Sequence, residues 1–110
     1  MKNSEITLKI ELDENNIPEK IQWDATDKPE PGLSDTKSIS LSLWDHQQKN
    51  TLRIDLWTKE MPTNEMRRFY IDCLGGLAQS ILTSTGDEYM SEEINKLCSS
   101  LAAYVAKTEK

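Results

Sequence analysis

The stretch Leu41–Met66, LSLWDHQQKNTLRIDLWTKEMPTNEM, decides the fold. Apolar residues alternate before and after a polar turn, and each run ends in a tryptophan that breaks the alternation. Strict alternation is the period of a half-buried strand. Pairing Leu43 with Leu52 sets Leu41 against Ile54 and Ile39 against Leu56, with an even-numbered turn from His46 to Lys49. The opposite face then carries Ser40, Ser42, Trp44, Thr51, Arg53, Asp55 and Trp57. It is polar, with an aromatic at either end. After Met61-Pro62 the apolar spacing changes from 2 to 3.6 residues, so a helix follows the hairpin directly.

Working outward, Ile6, Leu8, Ile10 and Leu12 alternate, Asp13–Asn16 is turn chemistry, and Ile17, Ile21 and Trp23 continue the pattern. With residues 13–16 as the loop, Leu12 faces Ile17, Leu8 faces Ile21 and Ile6 faces Trp23, so Trp23 reads as core. Pro18 fits an edge strand. Residues 24–37 hold two prolines, a glycine and alternating charges, and read as a mobile loop with Leu33 as its one large apolar anchor. Met66 to Leu82 carry a helical stripe, with Thr63 or Asn64 as N-cap and Gly86 as the stop. Gly75-Gly76 in its interior calls for close backbone approach or a kink, since each glycine costs about 1 kcal/mol relative to alanine. Ile94, Leu97, Cys98, Leu101 and Val105 mark a second helix.

The expectation is one α+β domain over residues 1–110. Strands lie at about 4–12, 17–23, 38–44 and 51–57, and helices at about 63–83 and 91–107. The simplest topology is a four-stranded antiparallel meander with both C-terminal helices packed on one face.

The formal net charge is −6 over 110 residues, which opposes phosphate binding unless a local basic patch overcomes it. No secretory signal, lipidation motif or apolar run of membrane-spanning length is visible, so the expected compartment is the cytoplasm and no membrane insertion is expected. Cys73 and Cys98 fall on apolar helix stripes, where a reduced thiol behaves as a small hydrophobe, and their spacing matches no zinc pattern.

Catalytic chemistry finds little footing. His46, the one histidine, sits beside Asp45 at a turn tip, where no enclosed pocket would shift a pKa. Asp24, Asp27 and Glu30 could approach a hard cation but lack the spacing of a calcium loop, and read as a solvated charge run. There is no nucleophile elbow, P-loop or dinucleotide fingerprint. The expectation is no enzyme, no cofactor and no metal. Trp44 and Trp57 are the stronger signal. Burying an indole removes on the order of 200 Å² from water, worth about 4 kcal/mol as an upper estimate. Two of them on a sheet's outer face are either shielded by the 24–37 loop or Arg53, or are contact residues for a partner, with Arg53 and Asp55 beside them.

These residues also carry a family resemblance. SEITLKIELDENNIPEKIQWDATD, LSLWD and above all NTLRIDLWTKEMPTNEM resemble the GldC family, small proteins associated with gliding motility in Bacteroidetes. The likeness covers most of the chain and fades after about Leu74. It implies a non-enzymatic accessory role beside the gliding and associated secretion machinery, through contacts with a machinery protein or with a second copy. The alternative is a single-stranded nucleic-acid module that stacks bases on Trp44 and Trp57 around Arg53, which the acidic charge disfavours.

Overall fold

The structure is a computed structural model and describes residues 1–109. The fold is α+β, in the order β1 (Ile6–Leu12), β2 (Pro18–Ala25), β3 (Ser34–Thr36), β4 (Ser38–Trp44), β5 (Thr51–Trp57), α1 (Thr63–Thr85) and α2 (Glu88–Thr108). The chain divides into two compact units: the strands through Met61, and the helices from Pro62 onward.

The strands do not form the single four-stranded meander expected from the sequence. They form two antiparallel sheets, β1-β2-β3 and β4-β5. The cause lies in the 24–37 segment. It is not loop throughout: after Gly32, whose φ of 97° only glycine adopts easily, Ser34–Thr36 add a short strand to β2, pairing Trp23 with Ser34 and Ile21 with Thr36. The Gln22 side-chain amide donates to the Asp35 carboxylate at 3.1 Å across that pair. β3 thus occupies the place expected for 38–44. The chain bends at Lys37, and β4 continues in a separate sheet with β5. The Thr58 N–H donates to the Lys37 carbonyl at 2.8 Å, one rung beyond the β4–β5 ladder, and the Lys59 N–H donates to the Pro18 carbonyl at 3.1 Å, tying the end of β5 to the start of β2.

In the β1–β2 pair the apolar parity holds, but the register is two residues away from the expected one. Ile6 faces Ala25, Leu8 faces Trp23 and Ile10 faces Ile21. The turn explains the difference. Asp13 accepts the N–H groups of Asn15 and Ile17 on its carboxylate, Asn16 takes a left-handed φ of 62°, and Ile17 is drawn into the loop. The ladder then pairs Glu11 with Lys20 and Leu12 with Pro18, leaving Glu19 as a bulged residue. A proline next to a bulge loses no ladder bond that the strand needs. A shift of two preserves which face each side chain occupies, so Ile21 still points inward and is 1% exposed.

The β4–β5 ribbon takes the expected register: Leu43 faces Leu52, Leu41 faces Ile54 and Ile39 faces Leu56. The Asp45 N–H bonds the Asn50 carbonyl, enclosing His46–Lys49, and Lys49 closes the turn with φ 54°.

α1 is preceded by Pro62 as N-cap, not Thr63 or Asn64, and no side chain caps it. Proline's fixed φ and missing N–H suit a helix start. Gly86, at φ 72°, ends the helix and donates its N–H to the Leu82 carbonyl. Asp87 then caps α2 through the Met90 N–H, so this helix starts at Glu88, ahead of Ser91. The two helices form an antiparallel hairpin. Ala78 is 1% exposed where α1 meets the first turn of α2, and Arg67 on α1 reaches Thr108, Glu109 and the Tyr104 ring at the far end of α2. Gly75 and Gly76 lie inside the continuous α1 and admit no close neighbour: a methyl on either would meet nothing within 4 Å.

Candidate interaction surface

The polar face of the β4–β5 ribbon collects the side chains singled out in the sequence. Residues directly opposite in an antiparallel pair share a face, so the pairs Ser38–Trp57, Ser40–Asp55, Ser42–Arg53 and Trp44–Thr51 stand in one array. Its centre is a closed polar network. The Arg53 guanidinium donates from Nη1 to Ser42 Oγ at 2.7 Å, and from Nη2 to Ser40 Oγ and to Asp55 Oδ1, both at 2.9 Å. Its Nε reaches Asp55 Oδ2 at 3.3 Å. Ser40 Oγ also donates to Asp55 Oδ1 at 2.6 Å. Arg53 and Asp55 are therefore brought together in a two-point pair. The Ser40 hydroxyl first, and then Arg53, hold the Asp55 carboxyl below the ordinary carboxylate range.

Trp44 and Trp57 are not brought together. They occupy diagonal corners of the array, 68% and 50% exposed. Neither is buried, and the Arg53 guanidinium is turned into the central network. Trp23, read as core, is half-buried, and Lys28 Nζ lies 4.9 Å from its ring centroid. The other ribbon face is apolar and also partly open, with Leu43, Leu52 and Ile54 each about half exposed.

The remaining candidates are placed as follows. His46 lies in the exposed hairpin turn, and the adjacent Asp45 carboxylate accepts the Gln48 N–H. Asp24 accepts the Ala25 N–H, and Asp27 accepts the Ser4 hydroxyl. Among the described residues no three His, Cys, Asp or Glu side chains are grouped to hold a metal ion. Cys73 and Cys98 are in the reduced form, and Cys98 Sγ lies 3.8 Å from the Ile71 carbonyl oxygen.

Sequence spacing gave no sign of a second charged cluster. Lys59 Nζ lies 3.0 Å from both Asp13 and Glu19. The Ile17 N–H and then Lys59 depress the Asp13 carboxyl, while Glu19 and Asp13 raise Lys59. These residues are separated widely in the chain and meet because β5 ends beside the β1–β2 turn. Nearby, an open cleft of about 310 Å³ is lined by Lys20, Ile21, Thr36, Lys37 and Thr58 among others, and Thr58 Oγ1 is buried there without a hydrogen-bond partner.

No helix among the described residues is long and apolar enough to cross a membrane. The model of a protein family described as gliding motility-associated protein GldC-like matches residues 18–107, from the start of β2 to the last turn of α2. No curated protein and no solved structure matches the chain.

Proposed function

We propose, because the chain belongs to the GldC-like family of gliding motility-associated proteins, that it works beside the gliding machinery as a non-catalytic cytoplasmic accessory and docks through the polar face of its β4–β5 ribbon. The observation that carries this reading is the pair of indoles left open at the corners of that face, Trp44 and Trp57. Exposed tryptophan around an ordered polar patch suits a contact surface, because a rigid indole gives large apolar area at small entropic cost and Trp and Arg are enriched among hot spots.

The face is less suited to nucleic acid. Its one cation, Arg53, is already neutralised by Asp55, so the aromatics flank no net positive charge that could hold a backbone phosphate.

The test is a Trp44→Ala, Trp57→Ala double variant in a gliding host. It should fold normally, lose association with machinery components and impair gliding. Wild-type gliding by a host carrying that variant would sink the reading.

A further inference from the structure

The occupant of the ribbon's edge can be named. We infer that β4 pairs edge to edge with β4 of a second copy of this chain, antiparallel about Leu41, joining the two ribbons into one four-stranded sheet. This deepens the docking proposal and rests on it for the view that the ribbon is a contact element.

Backbone direction comes first. The Asp45–Asn50 and Lys37–Thr58 bonds show that odd-numbered residues of β4 turn their N–H and C=O groups toward β5. The even-numbered ones, Ser40 and Ser42 among them, turn theirs to the outer edge. Among the described residues no backbone–backbone bond is made along that edge, and the Ser38 carbonyl at its start accepts the Thr36 hydroxyl at 3.1 Å. Sheets guard such edges with charge, proline, bulges or short length. β1 carries Lys9 and Glu11, β5 carries Arg53 and Asp55, and β3 is three residues long. β4, SISLSLW, has no charge and no proline. A two-stranded ribbon is also marginal alone and gains from further strands.

Charge then selects the occupant and the register. β4 is bounded by Lys37 and Asp45, each four residues from Leu41. Antiparallel pairing about Leu41 sets Lys37 of each copy opposite Asp45 of the other, twice by symmetry, as an isologous two-fold contact requires. Ser40 and Ser42 of the two copies exchange four backbone hydrogen bonds at the centre. A register displaced by one residue on each strand would put Asp45 or Lys37 opposite an apolar side chain instead. The same pairing aligns the polar faces. Trp44 of one copy comes beside Ser38 of the other, two strand spacings (about 10 Å) from that copy's Trp57, close enough for the indoles to meet over the small serine. On the opposite face Leu41 meets its own copy, and Ile39 meets Leu43.

The test uses the full chain. Sedimentation of the wild type should give twice 12.6 kDa at high concentration, falling to 12.6 kDa on dilution. Lys37→Glu and Asp45→Lys should each weaken the homodimer roughly tenfold by opposing like charges. Mixing the two variants should restore dimer, because both cross-strand pairs become attractive again. A Leu41→Cys variant on a Cys73→Ser, Cys98→Ser background should cross-link to itself on mild oxidation, since its Cα separation in a non-hydrogen-bonded pair suits a disulfide. A wild type that stays at 12.6 kDa at every concentration, or variants that fail to recover on mixing, would overturn the inference. Gliding lost by the tryptophan double variant of a strictly monomeric chain would leave the docking function standing and remove only this self-pairing.

Discussion

Ser91 Oγ in the first turn of α2 donates a buried hydrogen bond to the Ala78 carbonyl on α1, at 2.9 Å. The two residues are 5% and 1% exposed, so the bond lies out of water and a larger side chain there must displace its neighbours. Ser91→Ala should cost about 1 kcal/mol, the net worth of one such bond. Ser91→Leu should cost more, roughly 1–3 kcal/mol from overpacking. Thermal unfolding of the two variants checks the order: a leucine variant as stable as the alanine variant would mean the helices part easily there.

The glycines of α1 and its end should respond in opposite directions. Gly75→Ala and Gly76→Ala add a methyl into open space within an unbroken helix, so each should stabilise by about 0.8–1 kcal/mol. Gly86→Ala imposes a side chain on φ 72° and should destabilise by about 1 kcal/mol, although space there is equally free. Denaturant midpoints of the three variants read the sign directly.

Acid should loosen the ribbon through Asp55. Its carboxyl is held below the ordinary range, so the fold favours the ionised form. That contribution is present at neutral pH and is lost as pH falls through the lowered folded-state value. A carbon-detected titration should find Asp55 ionising below ordinary carboxylates, and Ser40→Ala or Arg53→Gln should move it back up. An unchanged titration in both variants would show that the network does not set it.

At the opposite end of the scale, Lys59 is raised by Glu19 and Asp13, so its contribution is intact at neutral pH and fades only as the pH rises through its elevated value. Lys59→Met should therefore erase an alkaline loss of stability that the wild type displays. Melting curves across the alkaline range test this, and curves that coincide would assign the loss elsewhere.

Much of this arrangement was legible in the residues, and the two misses that changed the strand layer have related physical origins. The β4–β5 register follows from parity alone, because a slip by one residue would turn Leu41 and Ile54 over with the serines. Gly86 likewise announces the end of α1. β3 announced nothing: Ser34-Asp35-Thr36 has no apolar residue and is held by backbone bonds, which every sequence can make. The β1–β2 register escaped for a related reason. It is set by two carboxylate bonds from Asp13 and the left-handed Asn16, which leave the hydrophobic alternation untouched. At the candidate surface, parity placed Trp44 and Trp57 on the outer face and left open whether neighbours shielded them. The Ser40–Ser42–Arg53–Asp55 closure needed distances, because facing side chains become partners only once rotamers are known.

The two successive amides at the end of β5 have a mechanical meaning. Thr58 and Lys59 are consecutive, yet one grips the strand segment leaving β3 and the other grips the start of β2. A tug on the free end of the hairpin is therefore delivered through two successive peptide units to the base of the ribbon and to β2 at once, like a rivet through two plates. Anything that clasps the tryptophan corners consequently pulls on the whole strand layer rather than bending the ribbon alone. The two protons at that rivet should exchange with solvent as one.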